Sequence, residues 1–121
     1  MRKSALREKS YLFAIKVVKL SQYLQKELQE FILSKQALRS GTAVGALIRE
    51  AEFAQSNADY IHKFSIALKE ANETAYWIDL LKDTGYLELK MSQDLQIECK
   101  EIIAMLVSTI NTLKKKIKVE R

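Results

Sequence analysis

The residues of this chain with the most chemical potential are scattered along it. Asp59 and His62 stand three positions apart, so a helix sets both on one face, at the spacing of the carboxylate and histidine pair that di-metal helical bundles use. Such a site needs a second motif of the same kind, and His62 is the only histidine in the chain. A structural or surface role is therefore the expectation for it. Ser40 and Thr42 flank Gly41, but no neighbouring histidine and carboxylate activate either hydroxyl. Glu50, Glu70 and Glu73 suit ion pairs with Arg39, Arg49, Lys63 or Lys69 on adjacent turns better than paired acid and base catalysis. The lone cysteine, Cys99, has no partner for an internal disulfide and lies in an apolar helical pattern, so it reads as a buried structural thiol. These residues point away from an enzyme and call for no metal and no cofactor.

Two glycines carry more information. Gly41 and Gly45 fall inside an otherwise helical pattern, where each costs about 1 kcal/mol relative to alanine. With Ala37 they repeat at one-turn spacing and form a smooth stripe, which predicts close approach of another helix, within the chain or across a subunit interface. A phosphate-cradling loop is the competing chemistry. The chain has no GxxxxGK[ST] pattern, however, and no β-strand pattern precedes the glycines.

The elements that must position these residues are helical. Proline is absent, glycine occurs only three times and 48% of residues are hydrophobic, a profile that suits an all-α protein. At 121 residues the chain is read as a single domain, 1–121. A first helix, from about Ser10 to Gln29, lines up Phe13, Val17, Leu20, Leu24 and Leu28, with Tyr11, Ile15 and Val18 widening the stripe and Lys16, Lys19 and Lys26 pointing elsewhere. A second begins near Ser34 as N-cap and runs to about Phe53, and the link that follows it is short enough to be nearly continuous helix. A third starts after Ser56 and Asn57, carries Ile61, Phe64, Leu68, Ala71, Ala75, Ile78 and Leu81, and stops at Gly85. The fourth is expected to start at Ser92 as its cap. Its Leu95, Cys99, Ile102, Leu106, Ile110, Leu113 and Ile117 make a bundle seam. Short links predict an antiparallel up-down-up-down four-helix bundle, with Tyr86 and Leu87 exposed in the loop before the last helix. No apolar run of signal-peptide length opens the chain and no segment approaches a membrane span, so a cytoplasmic protein without membrane contact is expected.

That topology gives the charges a place. The net charge is +5. Arg2, Lys3, Arg7 and Lys9 fall at the same end of the bundle as Lys114, Lys115, Lys116, Lys118 and Arg121, and together they predict a basic pole able to meet the phosphates of RNA or DNA. Glu27, Glu30, Asp83, Glu88 and Asp94 mark the other end. A second reading of the pole stands beside the first: a lysine run in the last turns of a helix complements the helix dipole and can simply be solvated. Tyr76 and Trp77, adjacent on a helix, point about 100° apart, so one is expected in the core and the other toward a subunit or partner.

The run LRSGTAVGALIREA, followed by AQSNADYIHKFSIALKEANETAYWIDLL and then TGYL, resembles the bacterial four-helix-bundle family of proteins encoded in intervening sequences of 23S ribosomal RNA genes. The resemblance extends from about Tyr11 into the last helix and is strongest from Leu33 to Leu87. It implies a small bundle that assembles into a ring, commonly a pentamer, and it implies no reaction. A related branch, the accessory variability determinants of diversity-generating retroelements, looks like the same fold used as a basic ring that binds a reverse transcriptase and nucleic acid. Leu47 departs from the family pattern, which would place Asn there, and so withdraws the polar contact such a residue would make. In a ring, Ala37, Gly41, Gly45, Tyr76, Trp77, Tyr86 and Leu87 are the candidate packing or subunit-interface residues.

Overall fold

The structure is a computed structural model that describes residues 2–120, with side chains from 5 to 119. Four helices follow one another: α1 (Arg2–Glu27), α2 (Leu33–Ala51), α3 (Asn57–Asp83) and α4 (Leu89–Glu120). No strand occurs among the described residues. Each helix packs on its neighbours in sequence, and α4 closes against α1 as the sparsest of the four contacts. The chain is thus an all-α, antiparallel up-down-up-down four-helix bundle.

Its core follows the apolar periodicity. Phe13, Val17, Leu20 and Leu24 of α1 meet Ala37, Val44 and Ile48 of α2, Phe64, Ala67, Ala71, Ile78 and Leu81 of α3, and Leu95, Cys99, Ile102, Leu106 and Ile110 of α4. Leu28, expected on the α1 face, lies past the helix end and is exposed. Tyr11, Ile15 and Val18, expected to widen the buried stripe, also face outward, because α2 and α4 cover only the two flanks of α1.

The helix ends show where local sequence signals hold and where tertiary structure replaces them. Ser56 caps α3, which begins at Asn57, one residue earlier than expected: its hydroxyl accepts the Asp59 N–H at 3.1 Å, and the Asp59 carboxylate accepts the Gln55 N–H at 3.2 Å. The extended backbone at Ser56 makes the preceding link a real turn instead of near-continuous helix. Gly85, at φ 85°, ends α3: its N–H reaches Lys82 O at 3.1 Å while the Tyr86 N–H reaches Leu81 O at 2.9 Å, the two bonds of a Schellman motif.

Ser34 is not the N-cap of α2. It sits one position inside the helix, fully buried, and donates its hydroxyl to Glu30 O at 2.7 Å. The cap is supplied by the Glu30 carboxylate, which accepts the N–H groups of Ile32 (3.2 Å), Leu33 (3.0 Å) and Ser34 (2.7 Å). Ser92 does not cap α4 either. That helix already starts at Leu89, and Ser92 is a buried residue whose N–H bonds Glu88 O at 2.9 Å. A further correction falls on Leu87, which is only 6% exposed because the α3–α4 turn tucks it into the core.

Candidate nucleic-acid interface

Two ion pairs fix the register of α1 against α4. Lys9 Nζ lies 2.8 Å from Glu101 Oε2, and Lys16 Nζ lies 2.7 Å from Glu98 Oε2. Antiparallel counting from these pairs puts the first residues of α1 beside residues 108–112 of α4. On the other flank, Cys99 Sγ donates to Ala71 O and the Gln96 side-chain amide to Ala75 O, which sets the start of α3 beside Leu113. Asn57 and Leu113 indeed line one cleft, together with Leu6, Tyr60 and Phe64. The part of α4 after Leu113 therefore projects past both neighbours, by about 10 Å at the usual helical rise.

That projection carries Lys114, Lys115, Lys116 and Lys118, all exposed, while Leu113 and Ile117 on the opposite side are partly buried. None of the four lysines has an ion pair or a hydrogen bond among the described residues. Arg7 and Lys9 differ from them. Arg7 Nε lies 3.4 Å from Glu52 Oε2, and Lys9 is held by Glu101, whose hydrogen bond and charge raise the lysine above its ordinary pKa. The cations of the predicted basic pole thus differ in their pairing. Arg7 and Lys9 are offset by carboxylates of the α2–α3 turn and α4, and of the pole's described cations the four lysines of α4 are the ones without an ion pair. Arg2, Lys3 and Arg121 lie outside the described side chains.

The glycine stripe packs within the chain. A Cβ built on Gly41 would come within 2.8 Å of Val17 Cγ1, and one on Gly45 would meet Ser10 O at 3.4 Å. Ala37 and Gly41 are buried, so the face they form belongs to the α1–α2 contact and not to a subunit interface. Tyr76 is 57% exposed, whereas Trp77 is partly buried against the core and donates its indole N–H to Glu73 Oε2 at 3.0 Å. The pair divides inside from outside, as adjacent helix positions require. Glu73 also takes Arg39, which bridges to Glu70, and the Trp77 and Arg39 contacts together hold the Glu73 carboxyl below its ordinary pKa despite burial. Tyr86 remains on the surface.

Asp59 is part of the α3 cap, and His62 is exposed one turn away. Ser40 accepts the Thr74 hydroxyl at 2.8 Å inside the core, and Thr42 donates to Leu38 O. Cys99 is buried, and burial pushes its thiol up to about 12. Among the described residues, no three metal-ligand side chains converge, and no helix is long and apolar enough to cross a membrane.

The first helix carries more apolar surface than one bundle seam needs, and the structure shows where the excess lies. Tyr11 (53% exposed), Leu12 (48%), Ile15, Val18 and Tyr23 form an uncovered apolar face on α1. Beside it, between α1 and α4, runs a cleft of about 390 Å³ walled by Leu20, Tyr23, Met91 and Leu95.

The geometry defines a four-helix bundle whose last helix outruns its neighbours and carries four lysines without an ion pair among the described residues. The comparisons then identify the family. Residues 2–108 match the model of the 23S rRNA-intervening sequence protein family, and the chain belongs to it. A crystal structure of a protein of unknown function from the S23 ribosomal protein family of Bacteroides thetaiotaomicron VPI-5482 superposes with a TM-score of 0.91 at 48% identity, over 92% of this chain and 99% of that one. Among curated proteins, none matches the chain. The lysines at 114–118 lie beyond the matched residues 2–108.

Proposed function

We propose that this protein is a non-enzymatic, oligomeric helical scaffold that associates with nucleic acid in the cytoplasm through the end of α4. The observation that carries the reading is the set of four exposed lysines without acidic partners among the described residues, presented on a helix that clears the bundle. Cations placed this way contact phosphates without first breaking an intramolecular pair, and the counterions they release make binding salt-dependent and nearly indifferent to sequence. The family resemblance adds a ring, with five subunits favoured, in which several such ends act together. It also adds a protein partner such as a reverse transcriptase.

Anisotropy titrations with labelled RNA and DNA at several salt concentrations test this. The parent should bind both more weakly as salt rises, and replacing Lys114, Lys115, Lys116 and Lys118 with Gln should weaken binding about uniformly across sequences and flatten the salt slope. The fold should survive, because these side chains are exposed. An assembled variant with the parent's affinity and slope removes the α4 end as the binding surface.

A second reading, a purely structural or protein-interaction oligomer, is favoured by the uncovered apolar face of α1. It predicts no binding to either nucleic acid from low to physiological salt.

A further inference from the structure

Within the nucleic-acid reading above, on which this inference rests, the arrangement of the four lysines selects the kind of nucleic acid. At about 100° per residue, Lys114, Lys115 and Lys116 spread over about 200° of the α4 circumference, and Lys118 falls about 40° from Lys114 inside that arc. Leu113 and Ile117 close the remaining side and are the partly buried ones. The cations therefore sit on both flanks and on the outer crest of a projecting rod. A single strand lying against one side of such a rod reaches at most Lys114, Lys118 and Lys115, which share an arc of about 100°, and leaves Lys116, about 200° from Lys114, in water. All four are used at once only if phosphates stand on both flanks of the helix.

A groove supplies that arrangement. The major groove of B-form DNA, about 12 Å wide, admits an α-helix and has a phosphate backbone along each rim. The major groove of A-form RNA is too deep and narrow to take one. The neighbouring helices do not block entry, since α1 and α3 both stop short of Lys114, and the free length of about 10 Å exceeds the groove depth of about 8.5 Å.

We infer that the preferred ligand of this surface is duplex DNA, with the end of α4 lying in the major groove and Lys114, Lys115, Lys116 and Lys118 neutralising phosphates on both rims. The contact is sequence-tolerant, because lysines directed at phosphates read no base edges.

The test uses the full chain with three probes of one sequence: a 20-base-pair DNA duplex, the corresponding RNA duplex and the single DNA strand. Four phosphate contacts on B-DNA give a slope of log K against log salt of about −3.6 per α4 end engaged, or a loss of about a hundredfold between 50 and 200 mM salt. One-sided contact with a single strand, through three lysines at most, gives about −2.1. The DNA duplex should bind tightest, and glucosylating its cytosines, which fills the major groove, should abolish the preference. Replacing Lys114 and Lys118 with Gln, or Lys115 and Lys116 with Gln, should each remove about half of the duplex slope. RNA or single-strand binding equal to or tighter than duplex DNA, with the quadruple variant still defective, overturns the groove inference and leaves the nucleic-acid reading standing. A slope lost through only one lysine pair does the same. Absence of binding to all three probes overturns both.

Discussion

Val17 occupies the space that a side chain on Gly41 would need. A Cβ at that position would lie 2.8 and 2.9 Å from the two Val17 methyl carbons, well inside contact distance. The glycine is thus the condition for α1 and α2 to pack at their observed separation, and its helix-propensity cost is offset by that contact. Gly41→Ala should destabilise the protein by about 1–3 kcal/mol, the usual range for overpacking. Gly45→Ala meets Ser10 O only at 3.4 Å, so its gain in helix propensity, about 1 kcal/mol, should leave it neutral or slightly stabilised. Urea unfolding of both variants distinguishes the two positions, and Val17→Ala should rescue Gly41→Ala in a double-mutant cycle.

Glu30 should behave as the acid-sensitive joint between α1 and α2. Burial alone would raise its pKa, but the N–H groups of Leu33, Ser34 and Ile32 together lower it below the ordinary carboxylate value. A folded-state pKa that is depressed means stability fully present above the unfolded value, about 4.3, and lost as pH falls through the lower folded value. Glu30→Gln should therefore cost about 0.5–2 kcal/mol at neutral pH, the range for losing a helix cap. The difference between parent and variant should shrink as pH falls below about 4, measured by thermal melts across that range. A constant difference from neutral to acid pH would show that the carboxylate charge has no part in the cap.

These residues also show what a single sequence makes legible. The four helices, the seam through Cys99 and Leu106, the start of α3 near Ser56 and the stop at Gly85 depend on spacing or on one residue's backbone preference, and such signals are local. Ser34 and Ser92 have the right residue type for caps but lie in buried positions set by packing between helices, where Glu30 from outside α2 and an earlier start of α4 prevail. Leu87 reads as an exposed loop residue until the turn that folds it inward is known. The division of the cations was hidden for a related reason. Arg7 meets Glu52, and Lys9 meets Glu101, across helix pairs whose register no local pattern encodes. The placement of the free lysines past the bundle end follows from that same register.

Cys99 should be a reporter of unfolding. Its Sγ donates to Ala71 O at 3.2 Å inside the α3–α4 contact, and burial raises its pKa to about 12, so the thiolate that reacts with disulfides and maleimides is absent at neutral pH. Labelling by a thiol reagent should be negligible in the folded protein and should accelerate with denaturant in step with global unfolding. Rapid stoichiometric labelling under native conditions, with helicity retained, would show that α4 detaches locally from α3.

The uncovered face of α1 carries the last prediction. Tyr11, Leu12, Ile15, Val18 and Tyr23 are exposed side by side, while the equivalent outer face of α3 presents His62, Ser65, Lys69, Asn72 and Asp83 around Tyr76. One side of the bundle is finished for water and the other is not, the asymmetry expected of a subunit that buries one face against its own copies. The protein should therefore scatter light as a species heavier than 13.9 kDa at micromolar concentration, at about five times that mass under the ring proposed above. Ile15→Glu combined with Val18→Glu should shift it to the monomer mass, since charges at the centre of an apolar contact are desolvated without partners. Helicity should be unchanged, because neither side chain is part of the core. A parent that scatters as a monomer through that range would sink the scaffold reading, and a heavy species unaffected by both substitutions would move its interface away from α1.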